Sequence, residues 1–227
     1  MTQPAPHLPR LFVTGTDTEV GKTVVTACLA AAFPETAHAA KVVASGVGPT
    51  DPPGGEDASL LAFGAGHAPS VFATFTAPVS PHRAAVLEGR RVETPVLTAW
   101  LRNLRGNPLL VEGVGGWRVP ITPDFEVRDA AEVVGAPVLI VAANRLGVLN
   151  HTRLTVESVR ADGFRVVGVV LNSGIAPQGS EDDPSTTSNL EDLRELLDVP
   201  VVPCGRVNPA DRDAMGALGR ALWRDLT

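Results

Sequence analysis

Cysteine is scarce in this chain, with two in 227 residues. So few cannot form a disulfide framework. Cys28 and Cys204 fall in a predicted helix and at the end of a predicted strand, which fits a reducing cytoplasm. A basic excess is also missing. The formal net charge is −6, which argues against a dedicated nucleic-acid binder. No apolar run comes near roughly eighteen residues, so no membrane span is expected. Cys and His nowhere cluster at metal-ligand spacing. The Pro-rich stretch Met1–Arg10 lacks an apolar signal core and reads as a short frayed arm. There is no internal repeat and no composition break. A chain of this length suffices for one α/β domain, spanning 1–227, with a well-buried core.

What is present is alternation. Short apolar runs predict strands at Leu11–Thr14, Val42–Ala44, Leu109–Val111, Val138–Ala142, Val166–Leu171 and Val201–Val202. Most are continuous rather than alternating, as for parallel strands buried on both faces. Helical patterns occupy Lys22–Ala32, Ala58–Phe63, Pro95–Leu104, Val127–Val134, His151–Ala161, Asn189–Leu197 and Pro209–Arg224. The repeated β-α order predicts a doubly wound, mainly parallel sheet with helices on both faces. Ligands bind such sheets at the carboxyl ends of the strands. Gly46–Gly55 and Ile175–Ser188 read as polar, flexible loops.

The most informative stretch follows the first strand: Gly15-Thr16-Asp17-Thr18-Glu19-Val20-Gly21-Lys22-Thr23. A strand, a Gly-rich turn and a helix start make a nest of backbone N–H groups for anionic oxygens. The helix beginning at Lys22 adds its positive dipole end. Lys22 suits the β- and γ-phosphates of a nucleoside triphosphate, and the Thr23 hydroxyl suits Mg²⁺. The pattern is offset: Gly15 comes one residue early, and Thr16 holds the usual position of the first Gly.

Other strand ends carry matching chemistry. Lys41 stands immediately before an apolar strand that ends in Ala44-Ser45-Gly46. A charge there is costly unless paired, and a second lysine near a γ-phosphate would stabilise developing charge. Glu112 ends the strand Leu109–Val111 and precedes Gly113-Val114-Gly115-Gly116-Trp117. A carboxylate so placed suits Mg²⁺ in phosphate-loop enzymes. Asp57 offers another metal oxygen or a helix cap before Ala58–Phe63. Asn172, after the fifth strand, suits either a purine edge or the start of a loop. His82 is expected mainly to order its own loop.

Together these residues resemble the dethiobiotin synthetase family. The motifs are Val13 to Thr23, Lys41 to Gly46, Ser80-Pro81-His82 with Glu88-Gly89-Arg90, Val111 to Trp117, Leu146-Gly147 with Asn150-His151, and Asn172. They span residues 11 to about 172, in the family's order. The resemblance implies a phosphate-loop fold and a homodimer that joins CO₂ and 7,8-diaminononanoate into a cyclic urea, using ATP and Mg²⁺. It makes Thr18, Lys22, Lys41 and Ser45 contacts to substrate and phosphate, with Lys41, Lys22 and Thr18 catalytic. Asp17, Glu19, Val20 and Gly21 belong to the nucleotide loop. Mg²⁺ falls to Thr23, Asp57 and Glu112. Glu19 and Gly115 lie at the active site, and Asn172 meets the adenine. Asn150, at an N-cap position, binds the substrate carboxylate from the opposite subunit. Two departures are visible. Lys41-Val42-Val43 replaces a common Lys-Pro-Val, and Arg145 replaces a lysine before Leu-Gly, keeping charge but changing geometry.

Two other readings remain open on the residues alone. One is a nucleotide-switch ATPase of the partitioning type, but that group usually has a lysine about where Asp17 stands. The other is a related phosphate-loop synthetase with another substrate, such as a corrin-precursor amidase. Those usually carry a glutaminase domain, for which this chain has no room.

Overall fold

The computed structural model describes residues 8–174 and 183–227. Seven strands form one sheet in which every pairing is parallel. In chain order they are β1 (Arg10–Gly15), β2 (His38–Ser45), β3 (Ser70–Phe75), β4 (Leu109–Gly116), β7 (Val138–Ala143), β8 (Val166–Asn172) and β9 (Val201–Cys204). A separate antiparallel pair, β5 (Pro120–Thr122) and β6 (Phe125–Glu126), forms a small hairpin. The sheet order is β3-β2-β4-β1-β7-β8-β9. From β1 the chain runs out to β2 and β3, returns to β4 between β2 and β1, and then crosses to β7, β8 and β9 on the other side, so the switch point lies at the carboxyl ends of β1 and β4.

Helices cover both faces, as the alternation predicts. On one face lie α1 (Lys22–Ala31), α2 (Gly55–Ala65) and α8 (Arg212–Leu226). On the other lie α3 (Pro81–Leu87), α4 (Thr94–Asn103), α5 (Val127–Val134), α6 (Val148–Ala161) and α7 (Asn189–Leu196). The core strands are continuous apolar runs because both faces are buried; all six residues of β7 are buried. Helix α1 is rich in small and β-branched residues, Ala, Val, Thr and Cys, and α8 presses close to it. A Cβ on Gly219 would sit 1.8 Å from the Cys28 carbonyl oxygen, so only glycine permits that approach. Cys28 and Cys204 are free and buried. Burial pushes their thiols up to about 12 and about 11, away from reactive thiolate.

Several boundaries differ from the sequence expectation. Three strands and a helix were not anticipated: edge strand β3, the two strands of the β5–β6 hairpin, and α3. Helix α6 begins at Val148, behind Gly147 as N-cap, rather than at His151. Helix α8 begins at Arg212, because Asp211 caps it by accepting from the Ala214 N–H at 2.9 Å. Residues 8–10 are not frayed. The Pro9 carbonyl accepts from the Leu109 N–H, and Arg10 opens β1. The rest of the expected arm, 1–7, and most of the expected loop, 175–182, lie outside the described residues. Residues 184–187 of that loop form a 3-10 turn. No described helix is long and apolar enough to cross a membrane.

Candidate active site

The loop between β1 and α1 supplies the first part of the site. Glu19 has φ 55 and Gly21 φ 87. Left-handed residues within such a turn aim successive N–H groups inward. Glu19 is the one non-glycine positive-φ residue among those described, and such backbone is strained unless its surroundings hold it. A Cβ on Gly15 would lie 2.7 Å from the Asp17 carbonyl and 3.0 Å from Lys22 Nζ. Gly15 is therefore needed where it stands, although it comes one residue early. No side chain caps α1, so its first N–H groups lack a side-chain acceptor, the condition under which a helix end takes up an anion. Lys22 Nζ curls back over the loop and donates to the Asp17 carbonyl at 3.0 Å. Burial lowers the Lys22 ammonium from 10.5 to about 8, against the pull of Glu112. The charged form is thus disfavoured by about 3 kcal/mol in this environment.

The second part is a buried ion cluster. Parallel pairing places Lys41 of β2 directly beside Glu112 of β4. Lys41 Nζ lies 2.6 Å from Glu112 Oε1 and 2.8 Å from Asp57 Oδ2. Lys41 is 4% exposed and Glu112 fully buried. Burial alone would lower Lys41, but the two carboxylates outweigh it and hold its ammonium above the usual lysine range. Burial would raise Asp57, yet Lys41 brings it below the usual carboxylate range. The Thr23 hydroxyl donates into the same group, 2.9 Å from Glu112 Oε1 and 3.1 Å from Asp57 Oδ1. Glu112 Oε2 is buried with no hydrogen-bond partner, a costly state for a carboxylate oxygen unless a cation completes it.

No three His, Cys, Asp or Glu side chains gather as a metal site among the described residues. Two carboxylates and a hydroxyl are nevertheless a hard-oxygen set, and Mg²⁺ commonly keeps several waters. The orphaned Glu112 oxygen fits that ion.

A cleft of about 650 Å³ joins the two parts. Thr18, Glu19, Gly21, Lys22, Thr23, Lys41, Ser45, Asp57, Glu112 and Gly115 all line it. Ser45 Oγ is buried without a partner. The cleft also has an apolar wall that sequence reasoning missed, formed by Pro78, Val79 and Val119. The signal for part of it lay in Glu88-Gly89-Arg90. Glu88 accepts from the N–H groups of Thr76 and Ala77, and Arg90 donates to the Thr74 carbonyl, bracing the loop that carries Pro78. His82 turns back to Ser80 Oγ at 3.1 Å, but in the first turn of α3, against its N-cap residue, rather than in a loop.

Other expected site residues sit elsewhere. Asp17 lies outside this cleft, with Oδ1 on its neighbour Thr18 and Oδ2 on Arg145 at 3.3 Å. Val20 is buried beneath the loop. Asn172 is buried; its Nδ2 donates to the Val20 carbonyl at 3.1 Å and its Oδ1 accepts from the Gly174 N–H at 2.9 Å. Asn150 is exposed and is not part of this cleft. It is no N-cap: with α6 starting at Val148, it lies inside the first turn. Asp57 likewise is not the cap of α2. Gly54 is, and Asp57 with Glu56 occupies the first turn, where the helix dipole favours acids. Lys41 lies inside β2 rather than before it, and Glu112 in mid-strand, since β4 runs on through Gly116.

A family model for an AAA domain matches residues 9–212. The ATP-dependent dethiobiotin synthetase of Anaeromyxobacter dehalogenans is 41% identical over 196 residues, covering 82% of this chain and 84% of its own. The chain belongs to the dethiobiotin synthetase family. The synthetase of Cellvibrio japonicus is 36% identical over 220 residues, 91% of this chain and 93% of its own. That of Bacillus subtilis is 36% identical, with 84% of each chain covered. Among solved structures, a plasmid partition protein of Borrelia burgdorferi bound to AMPPNP superposes with a TM-score of 0.54 at 10% identity, over 96% of each chain. The septum site-determining protein of Pyrococcus horikoshii complexed with Mg-ADP gives 0.50 at 15%, over 96% of this chain and 93% of its own. These two share the phosphate-loop fold alone. The partitioning-ATPase reading therefore rests on fold, whereas family membership rests on sequence across most of the chain.

Proposed function

We propose that this chain, acting as a single phosphate-loop domain, is an ATP-dependent cyclo-ligase that makes dethiobiotin from 7,8-diaminononanoate and CO₂. The observation that carries the reading is Lys41 held between Glu112 and Asp57 beside Lys22 and Thr23 in one cleft. One substrate amine adds CO₂ to give a carbamate. A carbamate oxygen attacks the γ-phosphorus of ATP, the bond to ADP breaks, and a carbamic-phosphoric anhydride forms. The second amine then attacks the anhydride carbonyl, closing the ring and expelling phosphate. The protein positions the reactants and neutralises charge, as in other phosphoryl transfers. Lys22 and Lys41 supply donors to the phosphoryl oxygens, and no protein nucleophile is required.

Thr18, Ser45 and Gly115 border the reacting end of the substrate, with Glu19 and Gly21 in the nucleotide cradle. Asn172 has one amide hydrogen left for an adenine edge while it tethers the loop. Thr23, Asp57 and Glu112 would hold Mg²⁺, which supplies charge neutralisation at the phosphates when bound. Glu112→Gln removes a charge from that set, so the Mg²⁺ concentration giving half-maximal activity is expected to rise by about tenfold. A magnesium titration checks this; an unmoved midpoint places Glu112 away from the metal.

Lys22 sets a pH limit. Phosphate oxygens would raise its pKa above the value of about 8 in the free protein. Binding that gains from the charged form is complete below the free pKa and fades as pH rises through the bound one. KM for ATP is expected to be flat below pH 8 and to rise above it, by up to about tenfold per pH unit. A profile flat to pH 10 would remove Lys22 from nucleotide binding.

The working unit we propose is a cytoplasmic homodimer, with no nucleic-acid or membrane partner. Asn150 and the N-terminal turn of α6 would meet the partner's substrate carboxylate. Gly147 leaves that turn without a side-chain cap, and Leu146 and Leu154, spaced about one turn either side of Asn150, are 79% and 57% exposed. Incubation with ATP, diaminononanoate and ¹³C-bicarbonate should yield dethiobiotin labelled at the ureido carbon, seen by mass spectrometry. Unlabelled or absent product would refute the function.

A further inference from the structure

Gly115 has φ 60, and a Cβ there would lie 2.8 Å from Val119 Cγ2 and 3.5 Å from Thr18 Cγ2. The backbone at Gly115 is thus wedged between Thr18 of the phosphate loop and Val119, the residue before the β5–β6 hairpin. Gly116 pairs with Gly15 at the root of that loop. The β1–β4 register shifts between Val13 and Gly15, opposite a segment holding Gly113, Gly115 and Gly116, where backbone freedom is greatest and a side-chain anchor helps to hold one shape.

The anchor is the next residue, Trp117. Its buried ring meets Phe12 and Phe164 edge-on, at centroid distances of 6.4 and 5.1 Å. Its Nε1 donates to Asp162 Oδ2 at 2.7 Å. Asp162 is the C-cap residue of α6, where a carboxylate faces the negative end of the helix dipole. That unfavourable placement is offset by Arg128, which donates to Asp162 Oδ1 at 2.9 Å, and by Arg118 at 3.9 Å. Glu126 in turn binds both arginines. At the other end of α6, Arg145 pairs with Asp17 of the phosphate loop. The two flanks of α6 therefore reach the phosphate loop, through Arg145, and the Trp117 side chain, through Asp162.

We propose that Asp162 is a positioning residue for the diamine end of the substrate. It acts through Trp117, fixing the Gly113–Gly116 backbone at the distance from the phosphate loop that the two amines require. Asp162 does not line the cleft, and its contacts run through Trp117 to the Gly113–Gly116 backbone, so its effect falls on the diamine and leaves ATP alone. The inference rests on the reading that Gly115 borders the substrate.

The test measures KM for diaminononanoate and for ATP, and kcat, in Trp117→Phe and Asp162→Ala, with Asp162→Asn as a variant that keeps an acceptor for the indole. Trp117→Phe retains the aromatic packing, so it separates the hydrogen bond from folding. The expected result is a KM for diaminononanoate raised roughly tenfold or more in Trp117→Phe and Asp162→Ala, less in Asp162→Asn, with KM for ATP within about twofold of wild type. An unchanged diamine KM, or equal rises for both substrates, would overturn the proposal. The wild-type control separates the two readings: if it fails to turn over diaminononanoate, the proposed function is at fault, whereas normal wild-type turnover with unaltered variants refutes the positioning role alone.

Discussion

Replacing Lys41 with Gln is expected to lower kcat by roughly 10²-fold or more, the loss typical of a preorganised donor aimed at developing charge. The geometry explains the size. Lys41 is held by two carboxylates at 2.6 and 2.8 Å, so its ammonium is in place before the γ-phosphoryl group moves. Glutamine keeps much of the length but leaves Glu112 and Asp57 facing each other without their cation. Removing one partner from a buried pair usually costs about 3–5 kcal/mol, so a lower unfolding temperature should accompany the kinetic loss. Thermal unfolding of the variant separates the two effects, because a folded population at the assay temperature attributes the kcat loss to chemistry. A variant with wild-type kcat would return Lys41 to a structural role.

Mixing two inactive variants is expected to restore activity. Lys22→Ala damages the phosphate site of its own chain, and Asn150→Ala damages a helix end that lies outside its own chain's cleft. If substrate stretches between subunits, a mixed dimer has one site with both defects and one intact site. Random exchange should then recover about a quarter of wild-type activity. Absence of recovery, with exchange demonstrated by native mass spectrometry, would mean that each site is built within one chain.

The parts legible in sequence were those where one physical demand dominated. Strands β1, β7 and β8 are buried on both faces, so their apolar runs announced them. Helix α5 fell where its amphipathic pattern placed it, Val127–Val134. Edge strand β3 did not, because Ser70, Ala73 and Thr74 interrupt its apolar residues and all but Phe75 of its side chains are only partly buried. Strand β2 begins at His38 with Ala39 and Ala40, residues of low strand propensity, so Lys41 looked like a strand start instead of an interior residue. The apolar run ended this strand at Val111, before Gly113, Gly115 and Gly116, yet pairing with β1 extends β4 through Gly116. Val148 and Leu149 hid the start of α6, which moved Asn150 from cap to first turn. The cleft's charged residues were legible by their chemistry. The wall of Pro78, Val79 and Val119 was not, since apolar residues in loops carry no distinguishing pattern. The pairing of Lys41 with Glu112 depends on the register of β2 beside β4, a long-range fact that no local spacing encodes.

The coupling of ATP to the diamine is tested most directly by phosphate release. ATP should be hydrolysed slowly by the protein alone, and the rate should rise sharply only when diaminononanoate and bicarbonate are both present. Equal rates with and without them would contradict a synthetase and describe a simple ATPase.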